Sequence, residues 1–142
     1  MILLDTNVLS ELMRPAPDPQ VVRWLDSRPA GEVWISAVTR AEIHLGILRL
    51  SDGKRKGLLR DLAERMFEEE FHGRCLPFDC EAAFEYAVIV DRRNRQGRPI
   101  GVEDAQIAAI AKTAGLALTT RNIKDFSNIE GLKLLDPWTE KV

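Results

Sequence analysis

The feature that most constrains this chain is the alternation of very short apolar runs with longer segments of helical period. Ile2–Leu4 and Val33–Ile35 are apolar runs too brief for a helix and suited to strands buried on both faces of a sheet. Leu116–Thr119 repeats the signal late in the chain, and Arg74–Phe78 gives a weaker version in which Pro77 marks a strand end. Between them lie helical patterns. Asp18 and Pro19 supply a cap and a first-turn proline. Thr39 to Leu50 places Ile43, Ile47 and Leu50 on one stripe, and Lys54 to Glu70 repeats Leu58, Leu62 and Met66. Asp79 caps a segment that runs to Gln96 and stops at Gly97, and Val102–Ala114 stops at Gly115. Lys133–Leu135 reads as a final edge strand. Strand and helix in alternation define an α/β layer fold with a mostly parallel central sheet flanked by helices. The paired segments on either side of Ser51-Asp52-Gly53 form a protruding helical hairpin.

One domain, residues 1–142, is expected from 142 residues with no linker composition and no internal repeat. A hydrophobic fraction of 45% beside 30% charged residues excludes a disordered chain. No apolar run approaches the roughly 20 residues of a membrane span, and MILLDTNVLSEL lacks a basic leader, so a cytoplasmic protein without membrane contact is expected. Cys75 and Cys80 are too few for a disulfide scaffold and fit half-buried thiols in a reducing compartment. With His72 they fall one ligand short of a structural zinc site.

The net charge of −2 does not advertise a nucleic-acid binder, but the charges are uneven. Six basic residues (Arg40, Arg49, Lys54, Arg55, Lys56, Arg60) face two acids between positions 40 and 60, and four arginines face Asp91 between 91 and 98. These are either phosphate contacts or solvated helix faces.

The chemistry lies in the carboxylates. Asp5 directly follows the first strand, and parallel sheets collect ligands beyond the carboxyl ends of their strands. Glu42 sits early in the helix after the second strand. Asp104 opens a late helix, and Asn122 and Asp125 follow the Leu116–Thr119 strand. If these strands are neighbours, the acids converge. Crowded carboxylates repel unless a cation intervenes, and an all-oxygen set without His or Cys selects Mg²⁺ or Mn²⁺. Such an ion acidifies water and neutralises charge on a phosphoryl group, the requirements of phosphodiester hydrolysis. Each acid also has a structural use: Glu42 lies at capping-box spacing from Thr39, Asp104 suits a helix dipole, Asp5 suits a cap and Asp125 a turn.

Leu3-Leu4-Asp5-Thr6-Asn7-Val8-Leu9-Ser10-Glu11, Ser36-Ala37-Val38-Thr39-Arg40-Ala41-Glu42-Ile43 with Leu45-Gly46, Pro99-Ile100-Gly101 with Asp104-Ala105-Gln106-Ile107-Ala108-Ala109, Thr119-Thr120-Arg121-Asn122 with Asp125-Phe126, and Asp136-Pro137-Trp138 follow one another in order along nearly the whole chain. Together they resemble the PIN-domain ribonucleases, specifically the VapC and FitB-type toxins of bacterial toxin–antitoxin pairs. The resemblance implies a PIN-like fold and an endoribonuclease with Mg²⁺ or Mn²⁺ in an acidic pocket. It makes Asp5 and Asp104 the main metal ligands, with Glu42 completing the set directly or through water. Thr6 and Asn7 would shape the first loop and Thr120 would hydrogen-bond the cluster. Apart from the resemblance, the hydrolysis reading leaves either Arg121 or the basic residues of the 49–60 hairpin to hold the phosphates. FitB-like members carry an aspartate where this chain has Asn122, so the fourth catalytic position is filled by Asn122 or Asp125, or the site works with three acids. Of the adjacent pair Glu103 and Asp104, Asp104 is expected inward because Ile107, Ala108 and Ala111 continue its face. The implied partners are an RNA substrate, a small cognate antitoxin bound near the pocket, and a second copy of the chain, with Trp24, Trp34 and the hairpin as candidate contacts.

Two other readings separate on simple grounds. A phospho-receiver module needs an acidic pair at the end of the first strand, and Asp5 has no acidic neighbour. A catalytically inactive PIN-like scaffold that binds RNA or a protein keeps the same fold, and metal titration with an RNA cleavage assay distinguishes it.

Overall fold

A computed structural model describes residues 1–142. Its five-stranded sheet has the order β3-β2-β1-β4-β5, and every adjacent pair is parallel. The strands are β1 (Ile2–Leu4), β2 (Val33–Ser36), β3 (Cys75–Leu76), β4 (Ala117–Thr119) and β5 (Leu134–Leu135). The helices are α1 (Thr6–Leu12), α2 (Pro19–Asp26), α3 (Ala37–Leu48), α4 (Lys54–Arg65), α5 (Cys80–Arg95) and α6 (Val102–Ala114).

Strand alternation splits the core in two. Ile2 and Leu4 join Val8, Trp24, Ile35 and Phe67 beneath α1 to α4. Leu3, between them, points the other way and meets Ile107, Ala108, Ala111 and Leu118 beneath α5 and α6. One residue of slip in β1 would exchange these two sets, so burial on both faces pins its register. The alanines of α6 let that helix lie close to the sheet, and Gly115 ends it in the left-handed conformation with φ 70°.

Several elements depart from the sequence expectations. The segment after Asp5, for which the sequence offers no more than a cap at Asp5, is the complete helix α1. α3 starts earlier than Thr39: Ser36 is its N-cap, accepting from the Thr39 N–H at 3.1 Å. α4 gives way at Met66 to a π-helical turn, Met66–Glu70, instead of continuing as an α-helix to Glu70. That turn buries Met66 and Phe67 together, which uninterrupted α-helical phasing would not accommodate as well. β3 is only Cys75–Leu76, flanked by Pro77. Cys75 is half-buried and Cys80 is exposed, not half-buried as expected for both. Trp24 is a core residue, 3% exposed, which removes it as a candidate interchain contact. The hairpin of α3 and α4 still presents Leu45, Leu48 and Leu58 to solvent.

Candidate functional site: an acidic pocket at the topological switch

β1 sits at the centre of the sheet, and the chain leaves it towards β2 on one side and β4 on the other. The carboxyl ends of β1 and β4 therefore border the crevice where strand order reverses, which is where open α/β sheets bind ligands. Asp5 emerges there, and its backbone N–H donates to Thr119 O at 2.9 Å, tying the end of β1 to β4.

Asp5 is 4% exposed, and its orientation is fixed by three donors. Oδ1 accepts from the Thr6 N–H at 2.8 Å, the cap of α1, while Oδ2 accepts from Thr120 Oγ1 at 2.7 Å and Asn7 Nδ2 at 3.2 Å. Thr120 Oγ1 also accepts from Asn7 Nδ2 and from the Asn122 N–H, so one buried hydroxyl joins Asp5 to the loop after β4. Capping and a site role coexist at Asp5, because its cap bond occupies only part of one oxygen's acceptor capacity.

Glu42 does not complete a capping box. Thr39 lies inside α3, and Glu42 Oε1 instead accepts from Thr6 Oγ1 at 2.7 Å. Thr39 Oγ1 lies 3.0 Å from Thr6 Oγ1. A hydroxyl has one proton; Thr6 commits its proton to the carboxylate, so Thr39 is the donor in the Thr6–Thr39 bond. The fully buried Thr39 thus steers Thr6, and Thr6 steers Glu42. Sequence reasoning took Thr39 for a cap and missed this role; its position just past a strand end was the available signal.

Asp104 stands in the first turn of α6, half-buried, while Glu103 beside it is exposed. Asp125 lies in a single 3₁₀ turn, Ile123–Phe126, and its N–H donates to Asn122 O at 3.0 Å. That turn is clamped from below by Arg93, which is 5% exposed and donates to the carbonyls of Arg98, Asp125 and Ser127. Arg93 belonged to the run read as possible phosphate contacts. It is a buried strut, and its neighbours Arg92 and Arg95 are engaged with Glu130 and Asp91.

Burial pushes the Asp104 carboxyl up to about 6, with the charges of Asp5, Asp125, Glu42 and Glu103 adding to the rise. Burial likewise raises Asp5, against the hydrogen bonds from Thr120 and Thr6, with Glu42 and Asp125 contributing repulsion. Asp5 and Asp104 thus both feel the charges of Glu42 and Asp125 across the crevice, and of the two candidates for the fourth position only Asp125 carries a charge. No ion pair in the structure involves Asp5, Glu42, Asp104 or Asp125. The acids do not close into a preformed cage: no three lie together at metal-ligand spacing. The donor chemistry nevertheless suits a hard divalent cation, since a cluster of oxygen donors without a basic partner is relieved by positive charge.

A parallel α/β sheet with unneutralised carboxylates at its switch point belongs to the class of proteins that can hold a hard cation there and, through it, act on a phosphoryl group. The chain belongs to the PIN domain family, whose model matches residues 2–132. It is similar to Toxin FitB of Neisseria gonorrhoeae, 42% identical over 97% of this chain and 99% of that protein. It is also similar to VapC ribonuclease Y4jK of Sinorhizobium fredii, 36% identical over 97% and 98% respectively. Among solved structures, FitAB bound to an IR36 DNA fragment superposes with a TM-score of 0.92 at 40% identity, covering 100% of this chain and 99% of the matched one. The expected PIN-like fold is therefore borne out.

Proposed function

We propose that this protein is a divalent-metal-dependent endoribonuclease, the toxin of a toxin–antitoxin pair, which hydrolyses RNA phosphodiester bonds in the acidic pocket. The observation that carries the reading is the gathering of Asp5, Glu42, Asp104 and Asp125 without a cationic partner, with Asp104 raised to about 6. The name of the Sinorhizobium fredii relative, a ribonuclease, supports the activity, and that of FitB supports the toxin role.

Asp5, Asp104 and Glu42 would hold Mg²⁺ or Mn²⁺, and Asp125 would add charge to the pocket. When bound, such an ion would supply positive charge to a phosphoryl group and lower the pKa of a coordinated water. The chain's own residues do the positioning. Thr120, Asn7 and the Thr6 N–H hold Asp5 in one orientation, so none of it must be reorganised when the cation and phosphate arrive. The Thr39–Thr6 pair does the same for Glu42. A cation held there would compete with protons for the Asp104 oxygens, most strongly as pH falls towards about 6.

Beside the pocket, Thr6 and Glu42 also line a groove of about 760 Å³ between α1, α3 and α4, whose walls include Ile43, Ile47, Leu58 and Leu62. A small antitoxin seated there would reach the acids with a basic side chain. The exposed Leu45, Leu48 and Leu58 of the hairpin support contact with a further chain, including a second copy. No helix is long and apolar enough to cross a membrane, and the proposed site of action is the cytoplasm, where the RNA is.

The test is cleavage of single-stranded RNA in Mg²⁺ or Mn²⁺ by the wild type, Asp5→Asn and Asp104→Asn. Loss of at least about 100-fold in each variant, the scale of removing one preorganised electrostatic contact, is expected. Wild-type cleavage that persists in EDTA, or variants that cut at the wild-type rate, would overturn the proposal. A folded wild type that binds RNA or a partner but never cuts would mark the inactive scaffold instead.

A further inference from the structure

Several basic side chains have an acidic partner. Arg14 pairs with Glu11, Arg40 with Glu68, Arg60 with Asp61 and Lys112 with Glu85. Arg121 differs. It directly follows the site residue Thr120, its side chain is exposed, and no carboxylate engages it. Its guanidinium lies over the Trp138 ring at 4.8 Å from the centroid. Its backbone N–H donates to Asn7 Oδ1 at 3.3 Å, so the same Asn7 that touches Asp5 also fixes where Arg121 leaves the chain.

The Trp138 ring is a fixed platform. It packs half-buried against the core beneath α1 to α4, and the Trp138 N–H donates to Asp136 Oδ1 at 2.9 Å. The segment after β5 is turned back on itself by the N–H groups of Thr139 and Glu140, both bonded to Asp136 O. Gln20 of α2 then donates to Glu140 O and ties the end of the segment to the body of the protein. A guanidinium on an aromatic face keeps its charge and its in-plane N–H donors, because stacking uses only the flat side. The neighbouring pocket is acidic and repels RNA phosphates until a cation loads, so a rim cation that cannot be neutralised by the pocket's own acids has a clear use.

Resting on the ribonuclease reading, we propose that Arg121, stacked on Trp138, is the clamp that takes a phosphate next to the scissile one and sets the register of the RNA strand across the pocket. Trp138 is a positioning residue: it acts through Arg121 by holding the guanidinium flat. The clamp reads backbone, so it strengthens binding of any single strand without choosing a base.

The experiment measures binding of a fluorescein-labelled, mixed-sequence single-stranded RNA of about 20 nucleotides to the full chain in EDTA, across a salt series, and then steady-state cleavage of the same RNA in Mg²⁺. Arg121→Ala is expected to weaken binding about tenfold and to reduce the slope of log K against log salt by about one, the signature of one lost phosphate contact. KM should rise by a similar factor while kcat stays within about twofold, as for a contact made equally in ground and transition states. Trp138→Ala should weaken binding less and keep the salt slope, because the charge remains but is no longer held, and Trp138→Phe should restore most of the affinity. Unchanged binding and KM in Arg121→Ala, an unchanged slope, or a loss confined to kcat would overturn the clamp. A wild type that binds the RNA in EDTA with the expected Arg121 dependence but does not cleave would overturn the ribonuclease reading alone, so the two failures are distinguishable.

Discussion

Replacing Asp104 by Asn should make the metal-free protein more stable at neutral pH while it destroys cleavage. The Asp104 carboxyl rises from 3.8 to about 6 on folding. Between those values the folded state binds more protons than the unfolded one, so the group's contribution to stability is fully present below pH 3.8 and is lost as pH rises through about 6. At about 1.4 kcal/mol per unit the full penalty above that pH is about 3 kcal/mol. Asp104 is only half-buried, and solvent screening reduces this to about 1–2 kcal/mol. Against it stands the favourable charge–dipole term of an acid in the first turn of α6, worth about 0.3–1 kcal/mol, which Asn forfeits. Burial and the neighbouring charges together outweigh the dipole term, leaving a net gain of about 1 kcal/mol for Asp104→Asn at pH 7.5. Urea unfolding in EDTA measures it. At pH 4.5, where folded Asp104 is already protonated, the charge-relief part of the difference should shrink by about two-thirds. A variant that is less stable than the wild type at pH 7.5 in EDTA, or a difference that ignores pH, would refute the idea that burial and neighbouring charge penalise the Asp104 carboxylate.

Three further outcomes follow from the same geometry. Mg²⁺ should raise the melting temperature of the wild type, by an amount equivalent to about 2.7 kcal/mol at a hundredfold excess over Kd; calorimetry should show a much smaller rise at pH 5, where a proton competes at Asp104, and none in Asp5→Asn. Thr120→Val should cost about 2–3 kcal/mol by removing a charge-assisted bond from the buried Asp5 carboxylate, and a loss under 0.5 kcal/mol in urea unfolding would contradict the orienting role given to this hydroxyl. Arg93→Met leaves the carbonyls of Arg98, Asp125 and Ser127 without their buried donor, so it should destabilise by about 3 kcal/mol and lower cleavage through the Asp125 turn, whereas a surface phosphate contact would leave stability untouched.

What the sequence makes legible is what local pattern controls. The strands, at their actual places, are read from apolar runs, and the sheet's parallel order follows from their alternation with helices. Asp5 and Asp104 are conspicuous because each sits next to a strand end or helix start, a position visible in one dimension. What stays hidden depends on contacts between distant segments. α1 is short and carries its buried residues Val8, Leu9 and Glu11 without a long periodic stripe, so it has no helical signature of its own. Glu11 itself is a buried acid that accepts from Arg14 and from the Asp18 N–H, holding the turn into α2, and nothing in its neighbourhood announces this. Arg93 looks like one more charge in a basic run because its carbonyl partners lie as far away as Ser127. Glu42 offered a local explanation, the capping box, that was chemically sound; a contact with Thr6 across 36 positions displaced it.

The same long-range contacts explain why the pocket can tolerate its own repulsion. Neutral donors orient two of its acids, Asp5 through Thr120, Asn7 and the Thr6 N–H and Glu42 through Thr6, while Arg93 secures the Asp125 turn through backbone carbonyls only. No carboxylate of the four is paired with a cation that would have to leave. A salt-bridged pocket would be more stable when empty, but a metal ion or a phosphate would then have to displace the internal positive charge before chemistry could begin. Hydroxyl and amide donors orient the carboxylates while leaving their charge unspent. The cost is the raised Asp104 and Asp5, and any cation that enters, whether metal ion or a partner's basic side chain, is rewarded by relieving it. Metal loading and inhibition by a partner would therefore compete for one reservoir of repulsion. A partner that offers a single basic side chain to the acids should bind more weakly as Mg²⁺ is raised, and more weakly still to Asp104→Asn; titration of the cognate partner against both proteins at fixed ionic strength decides it, and equal affinity throughout would place the partner's hold elsewhere.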